Sequence, residues 1–569
     1  MNYTADFETI AYIENGTTKA RVWAWAICSI ENPDVIIIGN TMDTFMQWVE
    51  KSDRDHLYFH NLKFDQSYII DFLERHGYTH STAKNPPADR TYTTLISDMG
   101  QCYKLDIISK KHEHKPKGVC CLDSFKLLPF SVDTVAKSFG LPISKLTIDY
   151  KAYREYGHKL TAEETEYIKH DVKICAMALK QLFSQGLKKI TTASNALSWF
   201  KADYTKLGFR DRFPVLALPI DADIRQAYRG GFTYLKPEYA DKDLQNMIVL
   251  DVNSLYPSVM YSEKYPIDQP EYFEGKYKND PKYPLYVQMF SCYFEVKPGF
   301  LPTIQLKHGY FFSANEYVTT TFNKKVGAFT ECTMCLTNVD LKLFLDHYNV
   351  WGVTWKCGWK FKASTGIFKN YIDYWIEQKI KATEEGNKGK RTISKLMLNS
   401  LYGKFGLKPD CISKQPFLDE KEDVIKYRRL DPEMREPLYI PIAAFVTAYA
   451  RNKTIRSAQS VYNRFVYADT DSLHLLGSEL PDNLEIDPVK LGAWKHESSP
   501  TKARFIRQKT YIEEINGKLN VTCAGMPAAC HKDVSFENFH PGSVYHGKLL
   551  PKTVPGGIIL EETDFTIKI

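Results

Sequence analysis

At 569 residues, with 44% hydrophobic and 25% charged residues, the chain is too long for one hydrophobic core and too apolar for disorder, so two to four globular domains are expected. A net charge of +6 permits a nucleic-acid partner without requiring one, and 14% aromatic residues supply rings able to stack unpaired bases. No run approaches the roughly 18 apolar residues of a membrane span, and Met1–Asp6 lacks the regions of a signal peptide. A cytoplasmic protein with free thiols is the expectation, since Cys332 and Cys335 form one Cys-x-x-Cys with no second pair to complete a zinc set.

In chain order, Asp6-Phe7-Glu8-Thr9 comes first, ahead of a strand pattern at Val22–Ile27. Residues i and i+2 of a strand share a face, so Asp6 and Glu8 converge. Leu57–Asp65 reads as an aromatic strand ending in a carboxylate, followed by helical spacing over Tyr68–Leu73. Lys110–Lys117 reads as a solvated basic loop that touches backbone phosphates at most. Thr161 and Glu164 form a capping box, and the helix they start carries Tyr167 and Asp171 at i and i+4, on one face. Any one of these acids alone is more simply a surface residue. As an ordered set, Asp6, Glu8, Asp65 and Asp171 make a candidate two-metal site for phosphodiester hydrolysis, with Tyr167 orienting the attacking water. Thr9, Asn61 and Phe64 lie beside them and are candidates to hold a strand terminus, Asn61 by hydrogen bonding and Phe64 by stacking. Tyr58, His60, Ser124, Phe125 and Tyr150 are further candidate strand contacts, and Lys145 is placed to stabilise charge on a leaving phosphate.

The apolar pattern thins over Gly186–Ser198, which puts a boundary near residue 191. Tyr228-Arg229-Gly230-Gly231-Phe232 follows, where two glycines allow close backbone approach and Arg229 offers a phosphate contact. The apolar run Met247–Leu250 reads as a buried strand delivering Asp251 at its end, with a Ser254-Leu255-Tyr256-Pro257 turn beyond. Residues 263–367, rich in Pro, Tyr and Lys, read as a small mixed domain inserted into the larger fold. A helix is predicted over Phe368–Lys381, a break over Glu385–Lys390 and a second helix over Thr392–Lys404. On the second helix Arg391, Lys395, Asn399 and Tyr402 fall on one face, with Leu396, Leu398 and Leu401 behind. Cations, an amide and an aromatic ring in one stripe suit a nucleoside triphosphate. Finally, Phe465–Leu475 reads as a β-hairpin with Asp469 and Asp471 at its tip. Like charges in a poorly solvated place repel unless a cation lies between them. Asp251, Asp469 and Asp471 are therefore expected to form a carboxylate cage for two Mg²⁺ about 3.5–4 Å apart, the arrangement of in-line phosphoryl transfer.

Taken in this order, the acidic triplets, the Tyr-x-x-x-Asp helix, Asp-Val-Asn-Ser-Leu-Tyr-Pro, Lys-x-x-x-Asn-Ser-x-Tyr-Gly and Tyr-x-Asp-Thr-Asp-Ser resemble the family B DNA polymerases. Asn61–Asp65, Tyr228–Phe232 and Pro555-Gly556-Gly557 resemble the protein-primed bacteriophage branch, the phi-twenty-nine type. The resemblance implies an α/β and α+β multidomain chain. Residues 1–191 would form an RNase H-like 3′–5′ exonuclease domain. Residues 192–262 and 436–522 would form the palm, 368–404 the fingers and 523–569 the thumb. Insertion 1 (263–367) would contact a priming protein, and insertion 2 (405–435) would help encircle DNA and displace a strand. Asp251, Asp469 and Asp471 would hold the polymerase metals, two Mg²⁺ per site with Mn²⁺ as an alternative. Tyr256 would exclude a 2′-hydroxyl, while Lys381, Arg391, Lys395, Asn399 and Tyr402 would bind the incoming nucleotide. Ser254, Thr447, Arg451, Lys509 and Tyr511, with Tyr228–Gly231, would contact primer or template. The implied partners are primer-template DNA, a displaced single strand, deoxynucleoside triphosphates and a terminal protein, for a monomer in a host bacterial cytoplasm. Four departures stand out: Ala468 where Cys is frequent, Phe125 where Leu is common, a longer loop between the finger helices and a shorter stretch before Cys523. A dedicated exonuclease whose second half only grips DNA, or a non-catalytic single-strand binder, is the alternative. Complete acid sets in both halves argue against each.

Overall fold

The computed structural model describes residues 1–83, 89–111, 116–150, 152–305 and 317–568. An eight-stranded sheet organises the N-terminal part, with strands in the spatial order Ile36–Gly39, Thr17–Ser29, Asn2–Glu14, Asp53–Phe59, Pro116–Asp123, Cys102–Lys111, Thr91–Ile96 and Thr79–His80. The three central strands, Asn2–Glu14, Asp53–Phe59 and Pro116–Asp123, run parallel. Period-2 alternation sorts their side chains into two layers. Phe7, Trp25, Leu57 and Phe59 pack with the helices Met42–Lys51 and Leu62–Arg75. Ala24, Ala26, Tyr58 and Leu122 pack with the helix Ala162–Ser184. That helix starts at the expected capping box: Thr161 Oγ1 accepts from the Glu164 amide at 3.1 Å, and the Glu164 carboxylate accepts from the Thr161 amide at 3.0 Å.

One element differs from expectation. The aromatic strand stops at Phe59, Asn61 turns the chain at φ +74°, and Asp65 sits in the first turn of Leu62–Arg75 rather than at a strand end. In the basic segment, Lys110 and Lys111 pair across a hairpin with Lys117 and Pro116, while His112–Lys115 lie outside the described residues.

The second half is built on a five-stranded sheet ordered Trp494–Ser498, Met247–Val252, Ser472–Leu476, Phe465–Asp469 and Thr233–Leu235. The helix Ile440–Ser460 is largely buried, and Phe445 and Ile455 share a core with Leu250, Phe465 and Leu473 of this sheet. A second sheet holds Asp243–Gln245, Lys502–Arg507, Thr510–Ile515 and Lys518–Cys523. Within 263–367 a four-stranded antiparallel sheet carries the helix Asn338–His347 against it, with a core of its own around Phe290, Phe294 and Phe344.

Two peripheral pieces dock onto the N-terminal domain. The hairpin Lys414–Asp419/Val424–Arg429 places Ile425, Leu418 and Tyr427 against that domain's core, and Arg429 pairs with Asp98 at 2.8 Å. The C-terminal hairpin Val544–Val554/Gly557–Thr566 brings its tip to the same helix, Leu62–Arg75. There the Ala20 amide donates to the Pro555 carbonyl at 3.0 Å, the Gly556 amide donates to Asp71 at 3.2 Å, and the Tyr68 hydroxyl donates to the Ile558 carbonyl. Asp71 also pairs with Arg75 (2.8 Å), which pairs in turn with Asp423 (2.6 Å), so three modules meet at one carboxylate. Gly556 has φ +89°, and a Cβ there would lie 2.1 Å from the Ala20 carbonyl oxygen. Gly556→Val should therefore release the hairpin tip, read as faster limited proteolysis within 544–566 and a loss of about 1–3 kcal/mol of stability. Unchanged proteolysis and unfolding would show that the contact is incidental.

Two candidate active sites

The N-terminal cleft, about 330 Å³, is lined by Asp6, Glu8, Asp65, Tyr167 and Asp171, with Asn61, Phe64 and Lys145 at its sides. The strand register supplies Asp6 and Glu8 and the capped helix supplies Asp171; ligand oxygens of these three lie within 4.8 Å of one another. Burial, then the charge of Asp171, pushes the Asp6 carboxyl up to about 7, and burial followed by Asp6 raises both Glu8 and Asp65 well above the carboxylate range. Oδ1 of Asp65 and Oδ1 of Asp171 are buried without a hydrogen-bond partner. An all-oxygen donor set with orphaned buried acceptors fits a hard divalent cation. Lys145 pairs with Asp171 and donates to the Tyr167 hydroxyl at 3.2 Å, while the Tyr150 hydroxyl lies 3.0 Å from that of Tyr167. Burial opposes the Lys145 charge, yet Asp171 outweighs it and raises the ammonium's pKa.

The second cleft is lined by Asp251, Asp469, Asp471, Lys509 and Tyr511. The hairpin forms as expected, Thr470 turning it at φ +60°. Asp251 lies opposite Ser472 across the neighbouring strand pair, and the Val252 amide donates to the Asp471 carbonyl at 2.8 Å. Burial, then Asp471, lifts Asp251 to about 6; burial also raises Asp471. The expected three-acid cage is only partly closed. Among the described residues the close carboxylate cluster is the N-terminal one, because Asp469 turns to Lys509, whose ammonium donates to both its oxygens at 2.9 and 3.0 Å, and accepts from the Thr233 hydroxyl at 3.1 Å. Gly231 serves this tip sterically: a Cβ there would lie 2.7 Å from the Thr470 hydroxyl.

The family described as DNA polymerase type B, organellar and viral, matches residues 49–159 and 153–487. The chain belongs to the type B DNA polymerases. It is 44% identical to the DNA polymerases of Bacillus phages Nf and phi29, over its whole length and 99% of theirs, and 32% identical to that of Streptococcus phage Cp-1, over its whole length and 98% of that protein. Its fold superposes on phi29 DNA polymerase complexed with primer-template DNA at TM-score 0.93 and 42% identity, covering both chains completely. The complex of that protein with primer-template DNA and incoming nucleotide substrates superposes at 0.92, again over both whole chains. The architecture is accordingly an exonuclease domain followed by a palm, fingers and thumb polymerase.

In this type B polymerase the two helices expected as fingers run Lys369–Glu384 and Lys388–Ser400, separated by Glu385–Asn387 alone. The loop is thus shorter than expected, because Asn387 caps the second helix by accepting from the Lys390 amide. Arg391, Lys395 and Asn399 share one exposed face, while Ile393, Met397 and Leu398 rather than Leu396 are buried behind. Tyr402 opens a separate short helix, Tyr402–Phe405, and its ring stacks on Tyr256 at 4.2 Å between centroids. Tyr256 itself lies on the helix Leu255–Ser262, which Ser254 caps at φ +56°.

Several expected contacts are placed differently. Lys381 projects outward and pairs with Glu377 at 2.6 Å. The inward cation is Lys379, whose pKa is lowered by burial and then by Arg391 and Lys395. Lys379 follows the buried Tyr371 and Trp375 at steps of four, a spacing that identifies it from sequence. Arg451 and Thr447, expected on the template, are both buried. Arg451, 4% exposed, pairs with Asp340 at 2.7 Å and donates to the Arg229 and Gly230 carbonyls, and the buried Thr447 hydroxyl donates to the Ala443 carbonyl. Burial lowers the pKa of the Arg229 guanidinium, with Asp340 acting against that shift and Arg451 adding to it. Tyr58 is buried against Phe183, since its strand neighbours Leu57 and Phe59 take the opposite face. Ser124 is fully buried and donates to the Phe59 carbonyl, with His60 at 3.1 Å from its hydroxyl; Phe125 beside it is exposed. Thr9 follows a bulge after Glu8, and Tyr228 lies near Tyr402. Besides Lys379, two contributors went unread in the sequence: Thr233 on Asp469, and Leu560, which the C-terminal hairpin brings to the lining of the N-terminal cleft.

Two tests follow from these placements. A carboxyl whose folded pKa lies above its unfolded value costs stability once pH exceeds the unfolded value, so Asp65→Asn should raise Tm by a few degrees at pH 8 and not at pH 4, in EDTA. An unchanged or lowered Tm at pH 8 would contradict the electrostatic account. Lys379→Ala should raise the KM for deoxynucleotides about tenfold while Lys381→Ala leaves it unchanged. The reverse pattern would restore Lys381.

Proposed function

We propose that this DNA polymerase is a proofreading replicase that copies a linear phage genome by protein-primed, processive, strand-displacing synthesis. The polymerase half of the reading is supported chiefly by the register that sets Asp251 beside the Asp471 hairpin, with Lys395 of the fingers close enough to act electrostatically on both acids. The 3′–5′ exonuclease is supported by the buried Asp6, Glu8 and Asp171 cluster with Asp65 beside it.

Divalent cations, Mg²⁺ or Mn²⁺, would be held by Asp251, Asp469 and Asp471 in one cleft and by Asp6, Glu8, Asp65 and Asp171 in the other, where they would supply Lewis-acid stabilisation of attacking and leaving oxygens. The protein's own groups do the positioning. In the fingers, Lys379, Arg391 and Lys395 bind the triphosphate, Asn399 hydrogen-bonds to it, and the stacked Tyr256 and Tyr402 rings form a floor for the sugar that leaves no room for a 2′-hydroxyl. Lys509 leaves Asp469 to meet the primer terminus, with Tyr511 beside it. In the exonuclease cleft Asn61 and Phe64 hold the strand end. Tyr167, fixed by Tyr150 and Lys145, orients the water, and Lys145 carries positive charge toward the scissile phosphate.

The partners of this reading are primer-template DNA, a displaced strand, deoxynucleoside triphosphates and a terminal protein received by residues 263–367, with the enzyme acting as a monomer in the host cytoplasm. Docking of the 405–435 hairpins and of the C-terminal hairpin on one helix supports the encircling of DNA. Among the described residues no helix is long and apolar enough to cross a membrane.

Asp469→Ala should abolish primer extension and spare degradation of single-stranded DNA, whereas Asp6→Ala with Glu8→Ala should do the converse. Extension by the first variant at the normal rate, or persistent degradation by the second, would refute the corresponding site.

A further inference from the structure

The strand Trp494–Ser498 pairs with Met247–Val252 so that Lys495 lies directly opposite Asp251. Opposed residues of an antiparallel pair project from the same face, so Lys495 rises beside the carboxylate at the floor of the polymerase cleft. Its side chain is 33% exposed, and its one ion pair, at 2.7 Å, is to Glu497, itself 53% exposed. A solvated pair of this kind contributes little and does not immobilise the ammonium.

The two helices Lys369–Glu384 and Lys388–Ser400 carry Lys379, Arg391 and Lys395, exposed or half-buried. The pKa of Lys379 is depressed by burial and then by Arg391, Lys395 and Lys495 together, which puts the palm lysine within electrostatic range of the fingers cations. Lys395 reaches the other way, acting on Asp251 and Asp471. Neutralising Asp251 needs one cation at most. Four cations contributed by two separate modules repel one another until a polyanion enters between them.

We propose that Lys495 is a palm-side ligand of the incoming nucleotide's triphosphate and of the pyrophosphate that departs, so that the palm as well as the fingers grips the polyphosphate. This rests on the polymerase reading above and adds a residue to it. The other three cations stand on helices outside the sheet, whereas Lys495 stands on the strand paired with Asp251, so it would grip the polyphosphate from the side of the carboxylates.

The test uses the full chain on a primed DNA template with Mg²⁺, comparing Lys495→Ala, Lys495→Gln and Lys495→Arg with the unmodified protein. Loss of one charge-assisted contact should raise the deoxynucleotide KM about tenfold in the Ala and Gln variants. The pyrophosphate concentration that halves extension should rise in parallel, kcat should move much less, and Lys495→Arg should recover most of both effects. Degradation of single-stranded DNA should not change. If Lys495→Ala extends primers with KM and pyrophosphate inhibition within twofold of the unmodified protein, the proposal fails and the polymerase assignment stands. A fall in kcat shared by all three variants, with KM and pyrophosphate inhibition unmoved, marks a purely structural lysine and equally overturns it. Absence of primer extension by the unmodified protein would instead remove the polymerase reading on which the proposal depends.

Discussion

Repulsion between carboxylates held in poorly solvated clefts is the constraint on which the rest of this molecule turns. A single buried carboxyl can stay neutral and cost little. In the N-terminal cleft burial raises the Asp6, Glu8 and Asp65 carboxyls, and neighbouring carboxylates raise them further. Such a site survives only because the surrounding fold over-determines it. Two acids come from one strand in fixed alternation, one from the first turn of a helix and one from a helix held by its capping box. The second cleft meets the same problem with cations of its own: Lys509 on Asp469, and Lys495 beside Asp251.

The same economy appears in how the modules are joined. Asp71 receives the backbone of the C-terminal hairpin and, through Arg75, the hairpin around Asp423. Arg451 ties the helix Asn338–His347, through Asp340, to the Arg229–Gly230 turn that leads to the Asp469–Asp471 hairpin. Each junction is a buried or half-buried charge with several hydrogen-bond partners, which makes it costly to leave half-satisfied and so defines one geometry between otherwise separate domains. The C-terminal hairpin also places Leu560 in the N-terminal cleft, so the last strand of the chain helps shape a site whose acids begin at its sixth residue.

Much of the chemistry was legible without coordinates. Alternation along a strand put Asp6 and Glu8 on one face, i and i+4 spacing put Tyr167 beside Asp171, and the apolar flanks of Asp469-Thr470-Asp471 announced a buried hairpin, since each of these relations is local and follows from the repeat of the backbone. Local spacing also contained the case for Lys379, which follows Tyr371 and Trp375 around the inner face of its helix. What spacing could not reveal was which of two chemically suitable side chains reaches the cleft and which is consumed by packing. Arg451, Thr447, Tyr58 and Ser124 have the right chemistry to touch DNA and are buried instead, because partners distant in sequence, such as Asp340 and Phe183, occupy their surroundings. The sequence by itself determined the acids, the strand of Asp6 and Glu8, the helix of Asp171, the hairpin of Asp469 and the family. Only the tertiary structure decided that Lys509 would hold Asp469 and that Lys495 would face Asp251, because charge pairing acts through space across strands whose register no local pattern encodes.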